Sequence, residues 1–307
     1  MMSRIYFYGL LVLMAACGGA VAMGHLDPNV NLDSAREIWA DVLRDVDEFG
    51  LHATRIPAEK EMRLGAEMAE QIKSWGPEDP AATKYVSDVG AGLLANVNRK
   101  AIRYRFHVIR SSEINAFALP GGQIYVLSGM LDFLHSEAEL AQILGHEISH
   151  VDLRHCVERY QYELALKKVG AGSVGPIVEI AHSLVAIGYS QAQELEADAS
   201  GERLAIEAGY DPDAAVAVFN RMKTTFGEAS ASPATTPLGE TGRAVGEAIA
   251  NYFRTHPPSA DRARQLSDMV AANHRKLSGR IVYRGVENYR ERISWSEREF
   301  ASEKHVY

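Results

Sequence analysis

Residues 136–150 read Ser136-Glu137-Ala138-Glu139-Leu140-Ala141-Gln142-Ile143-Leu144-Gly145-His146-Glu147-Ile148-Ser149-His150. Ser136 followed by Glu139 is a capping box, in which a hydroxyl and a carboxylate satisfy the first free N–H groups of a helix. The pattern predicts a long helix over about residues 136–165. Residues four apart on a helix lie about 40° from each other, so His146 and His150 point the same way. Two neutral imidazoles so placed can clamp one Zn²⁺. Glu147, one step round, can reach a water at that metal without becoming a ligand, and is placed to take its proton.

A catalytic zinc takes a third protein ligand. One protease class supplies a histidine six residues beyond the second. Here that position is Cys156, His155 falls one short, and Leu153 stands where that class turns its chain at a glycine. The third ligand therefore comes from elsewhere, and Glu194-Leu195-Glu196-Ala197-Asp198 is the candidate segment. Glu194 shares a helix face with Ala197, Asp198, Gly201 and Ala205, small residues that allow another helix close. Glu196 shares its face with Ser200, Arg203 and Glu207, a solvated set. The facing argument selects Glu194 as ligand. Asp198, one turn on, is placed to accept from the far ring nitrogen of a ligand histidine. Ser190 with Gln193 caps this helix, which should run to about Ala208.

Working toward the N-terminus, Ser34–Phe49, Ala58–Trp75 and residues 81–98 show helical periodicity, with Gly76-Pro77 and Asp79-Pro80 as punctuation. The period then changes: Tyr104, Phe106 and Val108 alternate with Arg and His, as in a strand. Ile114–Leu119 and Gln123–Leu127 are two further strands joined by Pro120-Gly121-Gly122, a hairpin signal. One of these two strands should have a free edge beside the active helix. Asn115, Ala116 and Phe117 are the candidates for holding an extended peptide there by main-chain hydrogen bonds.

Working toward the C-terminus, 169–189 is apolar and Gly-rich but interrupted by Pro176, Glu179 and His182, which argues for a loop and short buried helix. Asp211-Pro212 opens a helix ending near Thr225. Residues 226–245, rich in Ala, Ser, Thr, Pro and Gly, read as a flexible loop. A last helix covers about 259–275, and 276–307 reads as a polar tail with Ile281-Val282-Tyr283 a strand candidate. Residues 34–275 thus form one expected domain.

The chain has 307 residues, 47% hydrophobic and 23% charged, globular proportions with material for a core. A net charge of -8 without a basic stripe argues against nucleic-acid binding. Residues 1–22 have the form of an export signal: Arg4, an apolar run from Ile5 to Ala16, then small residues. Two processing patterns overlap. Ala20-Val21-Ala22 suits ordinary cleavage, and Met14-Ala15-Ala16-Cys17 resembles a lipobox that would lipidate Cys17 and attach the chain to a membrane. Beyond Cys17 only Cys156 remains, so no intrachain disulfide is expected of the mature chain, and Cys156 reads as a small core residue.

His146-Glu147-Ile148-Ser149-His150-Val151, then Arg154-His155, then Glu194-x-x-Ala197-Asp198, resembles the HtpX-like and CAAX prenyl protease family of gluzincin peptidases. Asn115 to Gly122, Leu64-Gly65 with Tyr85-Val86-x-x-Val89-Gly90, and Thr255-His256-Pro257-Pro258-Ser259-x-x-Arg262 are similar to further segments of that family. The resemblance spans roughly residues 55–270. It implies an α+β, zincin-like fold, mostly helical, with a small sheet whose edge strand lines the active-site cleft. It also implies one zinc per chain on His146, His150 and Glu194, with Glu147 as general base. His256 would lie near the metal, either stabilising the oxyanion or closing the fourth zinc position. Arg262 would brace the same loop. The most similar members are soluble periplasmic ones of outer-membrane quality control, here without tetratricopeptide repeats. They imply unfolded or misfolded proteins as substrates and a periplasmic location, anchored to the outer membrane if Cys17 is lipidated. The rival expectation is a chaperone or assembly factor with latent proteolysis.

Overall fold

The computed structural model describes residues 55–168, 188–231, 252–257 and 260–307. The expected signal with Cys17, the helix at 34–49, nearly all of 169–189 with His182, and residues 232–245 of the expected loop lie outside these residues. Two helices come first, α1 (Ala58–Ile72) and α2 (Pro80–Leu93). The Asp79 carboxylate accepts from Ala82 N–H, and Pro80 sits in the first turn, where a missing N–H costs nothing.

Three strands follow: β1 (Arg105–Ile109), β2 (Ala116–Leu119) and β3 (Gln123–Leu127). Their order is β1-β3-β2, with β3 parallel to β1 and antiparallel to β2. The hairpin is as expected, but β3 is paired on both sides and has no free edge; the edge strand of the two is β2. Gly121 and Gly122 turn the hairpin at φ 76° and 88°, a region open to glycine without strain. Buried Glu61 of α1 accepts from Gly121 N–H at 3.1 Å and pairs with Arg99, so α1 is pinned onto the turn.

A short helix α3 (Ser128–Phe133) leads to α4 (Glu137–Asp152), all of whose residues are buried. A helix covered on every side is a central core element. Ser136 Oγ accepts from Glu139 N–H at 3.2 Å, while the Glu139 carboxylate reaches back to His135 N–H at 2.7 Å. The expected helix to residue 165 is corrected here. It stops at Asp152, turns through Leu153 and Arg154 with Arg154 at φ 74°, and restarts as α5 (His155–Lys168). The cause lies outside the helix. Arg99 donates to the Val151 carbonyl at 2.6 Å, and the Asp152 carboxylate takes the N–H groups of Asn98 and Arg99.

Helix α6 (Gln191–Glu207) crosses α4 in backbone contact: a Cβ on Gly145 would lie 2.6 Å from the Gly201 carbonyl oxygen. Helix α7 (Asp213–Ala231) continues six residues past Thr225, so the start of the expected loop is helical. Helix α8 (Ala260–Lys276) matches its expectation. No helix among the described residues is long and apolar enough to cross a membrane.

The expected polar tail is instead part of the packed unit. Strands β4 (Ile281–Tyr283) and β5 (Lys304–Val306) pair antiparallel, with α9 (Val286–Glu291) between them. Gly285 and Arg284 carbonyls accept from Glu137 and Ala138 N–H, both at 3.0 Å, and so cap α4. The buried Glu137 carboxylate accepts from the Tyr85 and Tyr210 hydroxyls and from Trp295 N–H. Four regions of the chain meet on this one side chain.

Glu202 of α6 is buried against α8, where Asn273 donates to it. Burial pushes its carboxyl up to about 7, against the Asn273 hydrogen bond and with help from Asp198 and Asp213. The folded state therefore keeps a proton that the unfolded chain loses near its ordinary pKa. This contribution is favourable at acid pH and is lost as pH rises through 7. At constant metal content, Glu202→Gln should gain about 1–2 kcal/mol over the parent at pH 8 and nothing at pH 4. Urea unfolding at the two pH values checks this; an equal gain at both would contradict it.

Candidate metal centre

His146 and His150 project from the buried middle of α4, as their spacing requires, and Glu194 from the first turn of α6 faces them. Ser190 and Gln193 form the reciprocal capping box that starts α6 just before Glu194. His146 Nε2 lies 3.0 Å from His150 Nε2. Glu194 places one oxygen 3.5 Å from His146 Nε2 and the other 3.4 Å from His150 Nε2. His256 arrives from the segment ahead of α8, its Nδ1 3.0 Å from Glu194 Oε1 and 3.2 Å from His146 Nε2. One donor atom from each of these four buried residues lies within 4.8 Å of every other. Glu147 sits beside them, its Oε1 3.4 Å from His256 Nε2.

A web of charge supports the cluster. His146 Nδ1 meets Asp198 Oδ1 at 2.9 Å. Arg262, at the start of α8, grips Asp198 through two N–H groups at 2.7 and 2.8 Å and reaches Glu194 Oε2 at 2.7 Å. It also donates to the His256 carbonyl at 3.2 Å, tying down the loop. His150 is held on its face by Tyr189, stacked at 3.6 Å and 12°. His150 Nδ1 lies 3.0 Å from His155 Nδ1, and His155 Nε2 lies 3.3 Å from Glu196 Oε2.

The electrostatics fit a cation. Burial opposes charge on Glu194, but Arg262, His256 and His146 overrule it and hold the carboxyl well below the usual carboxylate range. Burial likewise opposes the His146 imidazolium, yet Glu194 and Asp198 raise it to about 10. Burial lowers His150 well below its ordinary value, which keeps its imidazole neutral with a lone pair to give. Burial raises Glu147. Neither Glu147 oxygen, nor His256 Nε2, finds a hydrogen-bond partner among the described residues. Buried polar atoms left so are costly and call for an occupant. Arg262 pairs with two of the three buried carboxylates, Glu194 and Asp198, and leaves Glu147 without an ion-pair partner on that side chain. The donor set, two imidazoles with a carboxylate and a third imidazole beside them, suits zinc among the common metals.

His146, His150, Glu194, Glu147, Asp198, His256 and Arg262 are thus brought to one place. The expected peptide-binding trio is not so uniform. Leu127 N–H bonds the Asn115 carbonyl at 2.9 Å, which fixes the alternation of the β2–β3 ladder. Asn115 and Phe117 direct their main-chain groups to β3, and Ala116 directs its own to the outer edge, as does Ala118. The Phe117 ring packs between Trp75 and Tyr125 at 5.6 and 5.0 Å. Cys156 is a buried free thiol, 3.7 Å from the Ala118 carbonyl. Sequence reasoning missed His155 and Tyr189 as neighbours of His150, and Glu196 as the partner of His155. On the continuous helix expected over 136–165, His155 faces away from His150, because neither Leu153 nor Arg154 signals a break, and Tyr189 had no pattern of its own.

The family model for peptidase family M48 matches residues 80–270, a stretch that contains the donor cluster and the residues that support it. The mitochondrial metalloendopeptidase OMA1 of Schizosaccharomyces pombe is 31% identical over 201 residues, covering 63% of this chain and 55% of that protein. The beta-barrel assembly-enhancing protease of Escherichia coli is 28% identical over 265 residues, 79% of this chain and 53% of that one. Metalloprotease LoiP of Escherichia coli is 25% identical over 278 residues, 86% of this chain and 97% of that one. The chain spans about half the length of the first two of these. With the HExxH helix, the facing glutamate and a family match over most of the described residues, this chain belongs to peptidase family M48.

Proposed function

We propose that the chain is a zinc-dependent endopeptidase of the cell envelope, acting on unfolded or misassembled proteins. The observation that carries it is the convergence of His146, His150 and Glu194 around one point, with the unpartnered carboxylate of Glu147 beside them. Zinc held there supplies Lewis acidity, making a water nucleophilic near neutral pH and polarising a carbonyl. Glu147 takes the proton of the attacking water and passes it to the leaving amine. Asp198 accepts from His146 Nδ1, which would leave Nε2 as the nitrogen that gives its lone pair when a metal displaces the ring's second proton. The outer edge of β2 is covered in this structure, with Ala116 fully buried and the Ala118 carbonyl accepting from the Cys156 thiol, so main-chain pairing of a substrate strand at residues 115–117 requires that cover to open. The narrower resemblance to HtpX-like proteases and the relatives named as proteases support the activity, and the E. coli relative named for beta-barrel assembly supports the envelope assignment. So does the signal-like stretch at 1–22, with Cys17 as the lipidation site and the periplasm as the location.

His256 has two roles open to it. Donating to the oxyanion would make His256→Ala slower by about 10²-fold, the scale of losing one such donor. Closing the fourth metal position would make the same variant faster, because the ring must leave before substrate enters. Casein cleavage by His256→Ala at saturating zinc separates the two.

Glu147→Gln should keep one zinc per chain by elemental analysis while cleavage of casein falls by at least about 10²-fold. Retained cleavage would sink the mechanism. A chelator should abolish cleavage by the parent protein, and added zinc should restore it. The assembly-factor alternative predicts that a Glu147→Gln strain behaves as wild type while a deletion strain does not.

A further inference from the structure

We propose that His155 is a positioning residue for His150, setting its tautomer through a relay His150–His155–Glu196. The inference rests on the metal-site reading above and extends it to a residue outside the donor cluster.

On an unbroken helix, a residue five positions on lies about 140° away from its reference. His155 would then face away from His150. Instead the chain breaks at Leu153 and Arg154 and re-enters a helix at His155. Arg154 adopts a left-handed conformation, which residues other than glycine rarely take. The break returns the His155 ring to His150, with ring centroids 5.2 Å apart and Nδ1 facing Nδ1 at 3.0 Å. Both rings are buried.

Two facing Nδ1 atoms can bond only if one carries a hydrogen and the other does not. His150 Nε2 points into the donor cluster, toward Glu194 and His146. To ligate, that nitrogen must offer its lone pair, so the neutral ring carries its hydrogen on Nδ1 and donates to His155. His155 must then accept at Nδ1 and carry its own hydrogen on Nε2. That nitrogen lies 3.3 Å from Glu196 Oε2 and donates to it. One arrangement of hydrogens satisfies every nitrogen in the row. The two ligand histidines are therefore supported differently: His146 rests on Asp198 directly, and His150 reaches a carboxylate through an intervening imidazole. The relay ends at a side chain about half exposed, at 48%. Tyr189 stacked on the His150 ring fixes its plane, leaving its protonated edge to His155.

The test measures zinc affinity of the full-length apo-protein by competition with a chromophoric chelator, beside its metal-free melting temperature. His155→Leu should bind zinc 10- to 100-fold more weakly, the usual cost of losing such a partner. His155→Asn, whose amide oxygen can stand near the lost Nδ1, should recover most of that loss. Glu196→Gln, which keeps the side chain's size and half-exposed position, should weaken binding by a few-fold. Parental zinc affinity in both His155→Leu and Glu196→Gln would overturn the relay. So would equal losses in His155→Leu and His155→Asn that follow their melting temperatures, since that marks a packing role only. A parent protein that binds no zinc would overturn the metal-site reading itself, an outcome distinct from either.

Discussion

The contact between Gly145 and Gly201 is the constraint on which the site depends. A Cβ on Gly201 would sit 2.6 Å from the His146 backbone nitrogen, so any side chain there drives α4 and α6 apart. Glu194 lies two helical turns before Gly201, and His146 follows Gly145 directly. Close approach of the two backbones is what brings a short carboxylate within reach of both imidazoles. The same crossing lets Asp198 meet His146 Nδ1, since it falls between Glu194 and Gly201 on one face of α6. Shape therefore precedes chemistry: the helices are cut to fit, and the ligands follow.

Burying so much charge needs an organiser, and Arg262 fills that place. A guanidinium offers several donors in a rigid plane, which suits simultaneous contact with Asp198, Glu194 and the His256 carbonyl. Breaking a buried ion pair by removing one partner is strongly destabilising. Arg262 thus ties α8 and the His256 loop to α6, so the chain that closes the site also balances its charge. The scaffold outside it is held by a second buried carboxylate, Glu137, on which α2, the turn after α6 and the C-terminal region converge at the head of α4.

Much of this was legible from spacing alone. Capping signals placed the starts of α4 and α6, alternation located the strands, and the small-residue face of α6 separated Glu194 from Glu196. These succeed because they are local: a cap, a period of two or a helix face is written within a few residues. The misreadings were non-local. The stop at Asp152 is imposed by Arg99 from another part of the chain. The C-terminal region is ordered by bonds to Glu137 and to the head of α4, which its own polar composition does not reveal. The outward direction of Ala116, rather than Asn115 or Phe117, depends on register, and register is set by pairing with β3.

The sequence by itself determined which atoms can do the chemistry, because two histidines one turn apart on a helix and a glutamate on a small-residue face are statements about helical geometry. Only the tertiary structure decided how those atoms are supported. Whether His155 faces His150, whether Arg262 spans two carboxylates, and which of the two hairpin strands stands at the sheet edge are settled by contacts between segments far apart in the chain. No local rule carries that information, since each contact exists only after two elements have found their packing.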